Sequence, residues 1–254
     1  MADYPWLDPH VSAGSTVAAG LAAAYLVAAS LVFGRRAYSR LVAARAVGDS
    51  AIVRRKYRRT LVKQAALTAL VLLVVAADPG IDRADLGLVW VHGDRSQNWW
   101  GWFAYGCGLL AVGGLVLRFR ARRGGWVPGQ RLFAALVARD GERGAAAAVA
   151  FGAGISEELL FRGLFLAVLV DRFDLNPVTA VVVLSVAFGA VHVYQGWLGV
   201  LGTGLAGVLF GMIYLGTQSL FMPIALHVLV DLRALVFVPV SGYAAAPKPA
   251  PARP

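Results

Sequence analysis

The sequence predicts an all-α protein that crosses a membrane about seven times, at roughly 20 apolar residues per span, with a polar cavity within the last four helices. Three observations carry this expectation. Apolar residues make up 59% of the chain and charged residues only 15%, at a mean hydropathy of +0.66. A water-soluble globule of this size could not cover that much apolar surface. The apolar residues also fall into runs long enough to cross hydrocarbon, and the basic residues gather between them. Of 24 Lys and Arg, ten lie between Arg35 and Lys63 and seven between Arg118 and Arg143.

Several classes are excluded at once. A soluble Rossmann enzyme, a collagen and a disordered tail protein all contradict the composition. The net charge of +10 does not point to nucleic acid, because no stacking aromatics interleave with the basic stretches. Their confinement to two stretches is instead the positive-inside pattern of a membrane protein. The one cysteine, Cys107, forms neither an internal disulfide nor a four-cysteine zinc site.

The elements follow in order. Residues 1–10 form an outer segment without Lys or Arg, and Val11 to Phe33 is an uncharged run that reads as a retained span rather than a cleaved signal. A second span covers Lys63 to Ala77, beginning near Thr60 with Lys63 snorkelling. The acidic stretch from Asp78 to Ser96, with its Asp78-Pro79-Gly80 breaker, reads as an outer loop. Trp99, Trp100 and Trp102 open a third span at interfacial depth, running to about Leu117. Residues 11–117 are thus three spans joined by a basic cytoplasmic loop. Residues 118–144 form a second basic loop, in which Leu132, Phe133, Leu136 and Val137 share one face of a short interfacial helix.

Four more spans follow, at about 145–170, 177–194, 197–215 and 219–240, and the Pro/Ala-rich 241–254 reads as a disordered tail. Threaded from an outside N-terminus, the chain places both basic loops and the C-terminus in the cytoplasm. Gly207 and Gly211 repeat at G-x-x-x-G spacing, a close-packing signal.

The last four spans carry what hydrocarbon disfavours. Charges at bilayer depth cost about 2.5–3.5 kcal/mol each on the lenient insertion scale and usually face a protein cavity. Here Glu157, Glu158 and Arg162 lie in the fourth span, His192 in the fifth, and His227, Asp231 and Arg233 in the seventh. Glu158 and Arg162 are four apart and can pair on one helix face, while Glu157 is turned about 100° away and free to work. His227 and Asp231 share the same interval, which would let a carboxylate hold one imidazole nitrogen. Phe188 stands one turn before His192. Arg233 lies off this face and reads as snorkelling. A carboxylate and imidazoles in a low-dielectric site suit general-base activation of water and stabilisation of an oxyanion. Zinc-helix and serine-elbow motifs are missing.

Glu157-Glu158-Leu-Leu-Phe-Arg162, Phe188-Gly-Ala-Val-His192 and His227-Val-Leu-Val-Asp231, in that order on separate spans, resemble the three motifs of the CPBP family. These are intramembrane endopeptidases that include the type II CAAX prenyl endopeptidase and bacteriocin-processing or self-immunity proteins. The resemblance covers about residues 145–240 and implies an active-site cavity in a four-helix catalytic core. It implies that Glu157 is the general base acting with His192, that Glu158, Arg162 and Phe188 shape the site, and that His227 and residue 231 stabilise the oxyanion. The family often has Asn where this chain has Asp231, a group that donates a hydrogen bond only when protonated, so Asp231 orients His227 instead or acts otherwise.

The resemblance implies no obligatory cofactor. The charge count leaves a divalent ion such as zinc, held by His192, His227 and Glu157, as the alternative. The expected partners are the lipid bilayer and a peptide or protein substrate in a membrane, expected to be a bacterial cytoplasmic one. A non-catalytic immunity or scaffold protein and a proton-coupled transporter are the competing classes.

Overall fold

The computed structural model describes residues 4–91, 96–123, 135–139 and 141–237. Seven continuous helices run through these residues, and no strand occurs among them. Helix α1 spans Ala13–Val47 with a π-helical segment at Ser30–Gly34, α2 spans Ser50–Ala77 and α3 spans Ser96–Arg122. Helix α4 covers residues 143–173, α-helical over Arg143–Glu158 and Phe165–Phe173 and π-helical over Leu159–Leu164 between them. Helix α5 is Pro177–Val191, followed by a 3-10 turn at Val193–Gln195, and α6 is Trp197–Thr217. Helix α7 covers residues 221–237, α-helical over Phe221–Leu232 and π-helical over Arg233–Phe237. Among the described residues, four stretches are long and apolar enough to cross a membrane: Ala13–Val47, Ser50–Ala77, Asn98–Arg120 and Trp197–Thr217; α5 is a shorter apolar helix.

The first basic stretch differs from its expected form. It is not a loop: α1 continues past Phe33 to Val47, and α2 begins at Ser50 rather than near Thr60. Arg, Lys, Ala and Leu are strong helix formers, and outside hydrocarbon their charges do not oppose the helix. The reversal takes two residues. Gly48 closes α1 with φ of 75°, in the left-handed region, and the Asp49 side chain caps α2 by accepting from the Ala51 and Ile52 amides. The interfacial helix expected within 118–144 falls partly outside the described residues, but its Leu136 and Val137 are described and lie in a turn and bend, not a helix; the tail expected at 241–254 lies outside the described residues.

Opposite ends of the bundle are secured by different chemistry. At the end holding the N-terminus of α1, the Val11 and Ser12 amides donate to Asp171 and Asp78. The segment after α2, expected to be an outer loop, folds against the helices. Leu86 is fully buried against Gly163, the Tyr214 hydroxyl donates to the Asp85 carbonyl, and the Ser219 hydroxyl donates to the Val89 carbonyl. Gly87 has a left-handed φ of 64°, and the Tyr214 ring fills the space a side chain would need, so both observations call for glycine here.

At the other end, Arg45 of α1 is buried. Its guanidinium donates to Glu142 at 2.9 Å and to the Ala135 and Val137 carbonyls at 3.1 and 3.0 Å. The Ala138 amide donates to the Leu235 carbonyl of α7. This knot ties α1 to the approach of α4 and to the end of α7. Helices α5 and α6 approach closely through glycine, as the sequence predicts: a methyl at Gly207 would lie 3.0 Å from the Ser185 side chain, and one at Gly211 would collide with Val181.

Candidate active site

The π-helical segment of α4 begins directly after Glu158 and contains Arg162. Such wide turns recur at functional sites because they reorient side chains without ending the helix. Here Glu158 and Arg162 are still paired, with Arg162 Nη1 donating to Glu158 Oε1 at 2.9 Å. Arg162 Nη2 donates to the Gly207 carbonyl of α6 at 2.9 Å, and its guanidinium lies over the Phe188 ring at 4.9 Å. One buried cation therefore holds α4, α5 and α6 together.

Glu158 is fully buried and has a second partner. His227 Nδ1 of α7 lies 2.7 Å from Glu158 Oε1. Ionised Glu158 accepts there, so the Nδ1 proton points at it. This corrects the expectation that Asp231 holds the imidazole: Asp231 Oδ2 is 3.9 Å from His227 Nε2, beyond hydrogen-bond reach. The four-residue interval does bring Asp231 beside the ring. The inter-helix bond from Glu158 sets the ring's orientation and turns the other nitrogen outward.

That outward edge is the centre of the site. Glu157 Oε2 and Asp231 Oδ2 each lie 3.9 Å from Nε2, with side chains 23% and 30% exposed, against 8% for His227 and none for Glu158. The locked carboxylate and the accessible one are thus adjacent in sequence but face different surroundings, as their rotation on the helix predicts. The His227 ring is flanked by Phe188 and by Phe210 of α6, at 6.1 and 5.6 Å between centroids. The sequence marks Gly207 for packing only and gives no signal that its carbonyl serves the site, and Phe210 looks like an ordinary residue of an apolar span.

His192 caps the end of α5. Its Nδ1 lies 2.8 Å from the Phe188 carbonyl, which makes Nδ1 the donor and leaves Nε2 with a free lone pair. The His192 ring is 4.8 Å from Phe188, so Phe188 touches both imidazoles. Among the described residues His192 makes no direct hydrogen bond or ion pair with Glu157 or His227. Beside this group, Phe161 packs on Phe188 and also lines an apolar cavity of about 250 Å³ between α1, α4 and α5.

Among the described residues, no group of three or more His, Cys, Asp and Glu side chains comes together as a metal site. Of the set His192, His227 and Glu157, the structure brings His227 Nε2 and Glu157 to one edge at 3.9 Å, while the Nδ1 atoms of the two imidazoles are committed to Glu158 and to the Phe188 carbonyl. Arg233 lies against Gly114 of α3, away from the cluster.

Comparison with protein families locates this constellation. Residues 141–233 match the family model described as type II CAAX prenyl endopeptidase Rce1-like. Over this segment the chain is similar to the CPBP family. The match runs from the approach of α4 through Arg233 and contains every ionisable residue of the site. For the matched segment it points to intramembrane protease activity. No curated protein and no solved structure matches the chain.

Proposed function

We propose that this protein is an intramembrane endopeptidase that uses a glutamate-activated water, and that its substrate is a membrane-associated peptide or protein. The observation that carries the reading is the division of labour at His227. Glu158 and Arg162 hold one side of the ring, while Glu157, the less buried neighbour, stands at the other.

In this reading Glu157 takes a proton from water as its oxygen attacks the scissile carbonyl. His192, with Nε2 free, orients that water and shares its proton. The imidazolium form of His227 donates through Nδ1 to Glu158 and through Nε2 to the oxyanion. Collapse of the tetrahedral intermediate breaks the C–N bond, and the proton held by Glu157 passes to the leaving amine. Asp231 bears on the same edge as an acceptor. The basic ends of α1 and α2 support a cytoplasmic location for the end of the molecule that carries His192, with the N-terminus outside.

The test is cleavage by the purified protein in liposomes, read with a fluorogenic farnesylated CAAX peptide, its unprenylated copy, and mapping of new N-termini in membranes of the expressing cells. Glu157→Gln and His192→Ala each lower cleavage by roughly 10²- to 10⁴-fold, and a chelator leaves it intact. Cleavage that survives both substitutions rejects this reading. Cleavage lost on chelation and regained with zinc replaces the metal-free chemistry.

A further inference from the structure

An endopeptidase site needs donors for the oxyanion, and the open edge here is short of them. Glu157 and Asp231 accept when ionised, Arg162 is turned away into Glu158 and Gly207, and His227 has one nitrogen committed. The 3-10 turn that follows His192 carries another donor. The Tyr194 ring lies 5.8 Å from the His192 ring, tilted by 36°. Its hydroxyl oxygen accepts from Gln195 Nε2 at 3.1 Å. Among the described residues its own proton has no acceptor. The ring contact sets Tyr194 beside His192, and Phe188 bridges from His192 to His227.

Its position is built rather than incidental. Gln195 is buried at 8% exposure, with Oε1 unpartnered, and it fits only because Gly199 lacks a side chain that would collide with it. From α1, the Tyr38 ring packs at 6.1 Å, Gly34 lies against the Tyr194 side chain, and the Ser30 hydroxyl donates to the Val191 carbonyl. The π-helical segment of α1 therefore buttresses the turn beside His192. This contact comes from outside the residues that match the family model.

We propose that Tyr194 is a catalytic residue whose hydroxyl, fixed by Gln195, donates a hydrogen bond to the substrate's oxyanion alongside His227 Nε2. The role rests on the endopeptidase reading. No covalent bond to the tyrosine forms; its O–H bond shortens its contact with the carbonyl oxygen as negative charge develops there and relaxes when the intermediate collapses. Gln195 is a positioning residue.

The experiment compares wild type, Glu157→Gln, Tyr194→Phe and Gln195→Met in the same liposomes, reading kcat and KM separately with whichever of the peptides or mapped membrane proteins is cleaved in a Glu157-dependent way. Tyr194→Phe keeps the ring packing, and its melting midpoint in detergent reports the fold. Loss of one oxyanion donor lowers kcat by roughly 10²-fold with KM nearly unchanged, and Gln195→Met shows a smaller loss of the same kind. Binding of a peptide phosphinate, a tetrahedral mimic, weakens with Tyr194→Phe, whereas binding of the uncleaved peptide to the Glu157→Gln protein does not change when Tyr194→Phe is added. Unchanged kcat in a folded Tyr194→Phe protein, or a loss confined to KM, overturns the role of the tyrosine and leaves the protease reading standing. Absence of any Glu157-dependent cleavage overturns both.

Discussion

Helices α1–α3 and helices α4–α7 deal with buried polarity in opposite ways. In the first group the buried charges sit near helix ends, as with Arg45 against Glu142 and Asp78 beneath the N-cap of α1, and the polar group at mid-span is neutral: Gln64, which donates to the Val149 carbonyl of α4. In the second group the charges lie mid-helix and meet across helices, as Glu158 does with Arg162 and His227. Charges at ends fix where helices begin and how they are joined. Charges at the middle must be satisfied by protein alone, so they dictate a single arrangement of side chains and leave Glu157 only partly buried on one side of it.

The comparison breaks most sharply at Arg162. Replacing it with Met leaves Glu158 buried without its cation, and removing one partner of a buried pair costs about 3–5 kcal/mol. Arg162→Met is therefore expected to lose most of its folded population on detergent titration and to lose cleavage with it. Adding Glu158→Gln recovers stability without recovering activity, because His227 then lacks its anionic anchor.

Packing gives the next effect. Gly211→Leu drives a side chain into Val181, and overpacking of this kind costs about 1–3 kcal/mol. The unfolding midpoint falls accordingly. Activity falls further than stability alone requires, because α6 also carries Gly207 and Phe210 to the site; activity that merely tracks the folded fraction would show that α6 serves as packing only.

The smallest effect belongs to the first group. Burial pushes the Asp78 carboxyl up, but hydrogen bonds from the Ser15 and Ser12 side chains and the Ser12 and Gly80 amides together outweigh it and hold the group at about 2. The value is depressed in the folded state. Its stabilising contribution is therefore complete above about pH 4, the unfolded value, and is lost as pH falls through about 2. Asp78→Asn is expected to flatten that acid limb in a melting series while leaving cleavage near neutral pH unchanged. A change in the neutral rate would show that the far end of the bundle communicates with the site.

Much of this was legible in the chain itself. Hydrophobic run lengths predicted the helical architecture and the start of α5 at residue 177, and the interval between Glu158 and Arg162 gave their pairing, because contacts within one helix follow from its 3.6-residue period. The three motifs also singled out the segment that matches the family model. The helical course of residues 35–63 was less visible, since run length reports hydrocarbon depth and not where a helix stops.

What no spacing rule reached was every bond between helices. Which carboxylate takes His227 Nδ1, which carbonyl takes Arg162, and which hydroxyl stands beside His192 depend on the relative rotation of α1, α4, α5, α6 and α7. That rotation is set by glycine contacts and ring packing summed over the whole bundle. One-dimensional periodicity determines the face a residue occupies; only the assembled helices determine what that face meets.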